Sequence, residues 1–182
     1  MPSLSALNLF CNFSITIYSS SEVELKKLND AKYVVVSGKW TDKTAGGCHL
    51  YSDPYEKGES QTWKRNPKYQ LIMRGSGKFS VKITISRPEK SWSHKVAKSP
   101  VSCMIGFYVF AYTSNSSDIN KEKVLNKVVF VPMNEQSETM ILDGDAQSYI
   151  VMPATYEKNM VGPYIFGVTA DDEFEFKEMA LY

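Results

Sequence analysis

A cysteine beside a histidine is where nucleophilic chemistry would begin, and Cys48-His49 is such a pair. An imidazole activates a thiol only through a hydrogen bond between the two side chains. Neighbours in an extended segment point to opposite faces, so this pair is expected to pack rather than to react. His94 lies in a polar stretch, and nothing in the spacing brings it to Cys48 or Cys103. The sequence has no GxSxG elbow, HExxH pair or Walker loop, and Gly75-Ser76-Gly77 reads as a hairpin turn. No catalytic residue is assigned.

Two other groupings suit binding. Asp143 and Asp145, with Asp118, Glu135 and Glu138, fall where loops are expected. Calcium takes several loop carboxylates converging on one point, so Asp143 and Asp145 are the candidate metal ligands, although the order of an EF-hand loop is absent. Lys64, Arg65 and Lys68 surround Trp63, and Lys39 and Lys43 lie near Trp40. Arg87, Lys90, Lys95 and Lys98 surround Trp92 in the same way. Cations mixed with tryptophan suit anionic lipid headgroups or an acidic partner surface. Lys64, Arg65, Lys68 and Trp63 are therefore the candidate lipid or partner contacts, against the plainer alternative of solvated lysines on a sheet.

Composition narrows the field. Lys plus Arg is 21 and Asp plus Glu is 20, a balance that removes the electrostatic footprint of a nucleic-acid binder. Two histidines and three widely spaced cysteines are poor material for an enzyme, a zinc site or a disulfide framework, and suggest a reducing, cytoplasmic setting. The first basic residue is Lys26, so the start does not read as a secretory signal. The 182 residues contain no linker or repeat, and one domain over 1–182 is the simplest account.

The elements that must position these groups are strands. In 78-KFSVKITIS-86, Phe79, Val81, Ile83 and Ile85 alternate with polar residues, as in a strand with one buried face. In 173-EFEFKEM-179, Phe174 and Phe176 point inward. Runs rich in β-branched and aromatic residues occur at 13–18, 32–38, 69–73, 102–112, 127–131, 148–152 and 164–168. Turn residues separate them, which predicts an all-β, antiparallel sandwich of about eight or nine strands. A short helix over 22–30 and an exposed loop over 86–100 complete the expectation.

Five motifs in order give a family resemblance. The segment 38-GKWTDKTAGGCHLY-51 carries Trp40, Gly46 and Gly47; Asn66 and Pro67 open 66-NPKYQL-71. Gly106 and Phe107 follow in 105-IGFYVF-110, Tyr149 and Pro153 in 149-YIVMPATYE-157, and the last motif is 162-GPYIFGV-168. Over about residues 38–168 this resembles the C2-like domain of calpains, also called domain III, and most closely that of the PalB-type calpains, which end in such domains. The resemblance implies scaffold roles for these residues and brings no catalytic group with it. It also implies a regulatory domain that supports or positions the protease core of a calpain-like cysteine endopeptidase. Its partners would be that core or a neighbouring C2-like domain, endosomal sorting proteins, and anionic lipid at endosomal membranes. The alternative is an independent calcium- or phospholipid-binding C2-type module.

Overall fold

A computed structural model describes residues 20–21, 32–50, 62–88, 104–112, 119, 124–144 and 148–179. The expected strand at 13–18 and helix at 22–30 lie outside these residues, as does most of the 86–100 loop. The same holds for Asp118, Asp145, Cys103, Trp92 and His94.

Eight strands run in order: β1 (Lys32–Trp40), β2 (Tyr69–Met73), β3 (Lys78–Ser86), β4 (Ile105–Tyr112), β5 (Glu135–Asp143), β6 (Ser148–Thr155), β7 (Gly162–Ala170) and β8 (Phe174–Glu178). They form two four-stranded sheets, ordered β1-β7-β3-β5 and β4-β6-β2-β8, with every pairing antiparallel. The fold is the expected all-β sandwich. Among the described residues the only helical element is a 3-10 turn, η1 (Thr62–Arg65), and no helix is long and apolar enough to cross a membrane.

Alternation sets the main core. Phe79, Val81, Ile83 and Ile85 of β3 are buried and their neighbours face outward, as predicted. They meet Leu71, Phe107, Val109, Tyr149, Val151 and Phe176 of the facing sheet, with Trp40, Tyr164 and Phe166 filling the centre. Each such large side chain, taken from water, contributes roughly 1.5–3 kcal/mol before entropy is subtracted.

A second buried cluster covers the outer face of β4 and β6. It joins Tyr108, Phe110, Ile150, Met152 and Ala154 to Cys48, Trp63 and Ile119. This explains why β4 is buried continuously from Ile105 to Phe110, with no polar alternation. The β4-β6 half of one sheet is thus covered on both faces, while the outer face of the other sheet faces solvent. Pro153 sits inside β6, which a proline normally avoids. The β2 ladder on that flank ends at Val151, so only the β4 ladder runs alongside Pro153.

Two expectations are corrected. The run 127–131 is not a strand; it makes only an isolated bridge from Val131 to Ile105. Glu135 and Glu138, expected in a loop, lie in β5.

Candidate functional site

The loop after β1 is built from turns rather than ladder. Thr41 O accepts the amides of Thr44 (3.0 Å) and Ala45 (2.8 Å). Gly46 then passes so close to η1 that a Cβ would lie 2.1 Å from the Thr62 carbonyl oxygen. Gly47 has φ +74°, and a Cβ there would stand 2.6 Å from the Lys158 nitrogen. The two glycines therefore let three backbone segments meet. The buried Asn66 fastens the junction: its Nδ2 donates to Gly47 O (2.7 Å) and Trp63 O (2.8 Å). Cys48 N donates to Tyr156 O (3.1 Å), and Asn159 N to Ala45 O (2.9 Å).

Cys48 and His49 lie in this loop, not in a strand. The Cys48 thiol is buried in the second core. The Tyr108 hydroxyl accepts the His49 backbone amide (3.1 Å) and shares a hydrogen bond with its Nδ1 (2.9 Å). The His49 ring also packs against Trp63 and Tyr108, with centroids 5.8 and 5.5 Å away. Burial pushes the Tyr108 phenol far above its usual range, so it stays neutral. This cysteine and histidine are packing groups.

The basic candidates separate. Trp63 is 3% exposed, its ring stacked near Phe110 and tilted against Tyr108. Its indole is held within the protein and is not displayed for a membrane, which corrects its place among the surface contacts. Lys68 is half-buried, and its ammonium donates to Lys64 O (2.6 Å) and Asn66 O (3.3 Å). It closes the end of η1, and burial lowers its pKa. Arg65 is exposed and Lys64 half-buried.

The acidic candidates also separate. Asp143 ends β5, its amide donating to the Tyr149 hydroxyl (2.9 Å), which donates back to Asp143 O (2.7 Å). Glu135 begins the same nine-residue strand, roughly 27 Å away at the usual rise, too far to share an ion with Asp143. Glu138 accepts from Lys127 N (3.2 Å) and Asn126 Nδ2 (3.4 Å). Among the described residues no three His, Cys, Asp or Glu side chains come together as a metal site.

The family-motif residues form the frame. Trp40 Nε1 donates to Pro153 O (3.3 Å), tying the sheets together. Pro67 is buried ahead of β2, and Gly106 lets the Val129 carbonyl approach to 2.5 Å from where its Cβ would be. The roles of Asn126 and of the Tyr149–Asp143 clasp escaped the sequence reading, since a lone Asn or Tyr carries no pattern.

In this two-sheet antiparallel sandwich Cys48, His49, Trp40 and Trp63 are used in packing. Residues 36–168 match the family described as calpain large subunit, domain III, and the chain belongs to it. This is a non-catalytic domain of calpains. A curated relative, serine/threonine-protein kinase 4 homolog B of Dictyostelium discoideum, is 24% identical over 145 residues, covering 76% of this chain. The matched stretch is 11% of that protein's own length. A solved structure of black queen cell virus aligns over 93% of this chain and 85% of the viral chain at 10% identity, with a TM-score of 0.33. That likeness is too loose to carry an argument.

Proposed function

We propose that the chain is a non-catalytic regulatory module that docks against a neighbouring domain of the same polypeptide and fixes its orientation. The observation that carries this reading is the asymmetry of the sandwich. The β4-β6 half of one sheet is covered on both faces, whereas the β1-β7 end of the other sheet presents an apolar patch. Tyr33 is 66% exposed there, beside the exposed Val35 and Ile165. Val35 pairs with Gly167 and Ser37 with Ile165, so the patch is continuous across two strands, and the Tyr33 ring lies over Gly167. Rigid sheet faces with clustered apolar side chains are suited to interfaces.

In a calpain the neighbour is the protease core or another C2-like domain. The kinase name of the Dictyostelium relative supports a module that also accompanies other catalytic domains. Cytoplasmic placement and contact with endosomal sorting proteins belong to the calpain form of this reading. Hydroxyl-radical footprinting tests the docking: Tyr33 is expected to be oxidised more slowly in the full-length natural protein than in this chain alone. Equal rates would overturn the reading.

A second reading, binding to anionic lipid, draws on the surface position of Arg65 beside Lys64 on η1. Its calcium-dependent form would use Asp143 and Asp145.

A further inference from the structure

The sheet face that carries Tyr33, Val35 and Ile165 also carries a charge pattern. β1, β7 and β3 lie side by side, and together they hold Lys32, Lys39, Lys78 and Lys82 but no Asp or Glu. In a protein whose cations and anions number 21 and 20, that is a local excess. The acids of this sheet, Glu135, Glu138 and Asp143, all belong to β5, on the far side of β3.

Two of the lysines have a carboxylate at hand. Lys32 reaches Glu173 (3.8 Å), and Lys78 lies across the ladder from Asp143. Lys39 and Lys82 make no ion pair among the described residues. For Lys82 the register is the reason: its cross-strand neighbours are Thr169 of β7 and Thr139 of β5. Thr169 is also the partner of Tyr33, so Lys82 stands on the Tyr33 face, two strands or roughly 10 Å from β1. Lys39 shares that face by alternation, six residues or roughly 20 Å along β1 from Tyr33. The exposed Val35 and Ile165 lie between the two cations, and the short side chains of Ser37, Thr84 and Ser86 keep the surrounding surface low.

An apolar centre with a polar rim is the anatomy of a protein interface, and rim charges set the orientation of what docks there. Two cations held far apart on a rigid sheet call for two counter-charges at matching positions. A folded protein surface supplies such a pair, whereas a fluid lipid layer imposes no spacing.

We propose that this face docks an acidic surface of the neighbouring domain, with carboxylates opposite Lys82 and Lys39 and apolar side chains against Tyr33, Val35 and Ile165. The proposal rests on the docking of Tyr33 and adds the chemistry of what covers it.

The test uses the full-length natural protein. Carbodiimide cross-linking, which joins an amine only to a carboxylate in contact with it, should link Lys82 or Lys39 to an Asp or Glu outside this domain. Lys39→Glu with Lys82→Glu, both at exposed positions, should speed Tyr33 oxidation about threefold or more, and about 0.5 M salt should act in the same direction. Replacing the cross-linked carboxylate by Lys in the reversed protein should restore protection. Tyr33 protected equally with and without the reversal, or no cross-link to either lysine, would overturn the acidic occupant and leave docking standing. Tyr33 unprotected in the full-length protein would overturn both. Protection of Tyr33 in this chain alone by phosphatidylserine vesicles, lost on the same reversal, would assign the face to lipid and overturn the proposal.

Discussion

Asn66 holds two carbonyls with one amide nitrogen in a place water does not reach. Asn66→Ala should therefore cost about 2 kcal/mol or more in urea denaturation, because both carbonyls lose a partner while buried. Gly46→Ala is expected to cost a similar amount, since the Thr62 carbonyl that a methyl would strike is backbone and cannot rotate away. Tyr108 gives a pH signature. Its folded pKa is raised, chiefly by burial, so its contribution is intact below the unfolded value near 10 and declines as pH rises beyond it. Stability should fall by about 1.4 kcal/mol per pH unit for this group above about pH 10. Tyr108→Phe should remove that share of the slope while losing the bonds to His49, as denaturation curves at several alkaline pH values would reveal.

At the scale of elements, legibility followed burial on one face. β3 was readable because its inner face is apolar throughout and its outer face polar. β5 was not, because Gln136 and Glu138 occupy inward positions, opposite Ile85 and Ile83, and break the alternation. The opposite error fell on 127–131, whose apolar run packs on the outer face of β4 without forming a ladder. Asn126 takes the place of that ladder: Oδ1 accepts Val109 N (2.7 Å) and Nδ2 donates to Phe107 O (3.1 Å). Asn126→Ala should destabilise by about 2 kcal/mol and raise hydrogen exchange at the Val109 amide more than at the centre of β3. The settings of Trp63 and Lys68 were hidden for a related reason. Residue type showed their chemistry, but only the second core revealed that one is buried and the other closes η1.

For the whole molecule, family membership was legible because its motifs mark where backbones meet, and such places tolerate few residues. The exposed apolar patch left no comparable mark, since Tyr33, Val35 and Ile165 read in sequence as ordinary strand residues. The lipid reading predicts co-sedimentation with phosphatidylserine vesicles at low salt, reduced by Lys64→Glu with Arg65→Glu. No binding with or without calcium would remove both its forms. Lys68→Glu is unsuited to that experiment, because it would place a carboxylate against two carbonyls and disturb the fold.

Trp40 stands between the sheets and Trp63 in the outer layer, both out of water. Each layer therefore carries its own fluorophore. Replacing one indole at a time, with Trp92 changed to Phe, would turn denaturation into a two-channel record. A red shift at Trp63 that precedes the one at Trp40 would show the covering layer peeling from an intact sandwich.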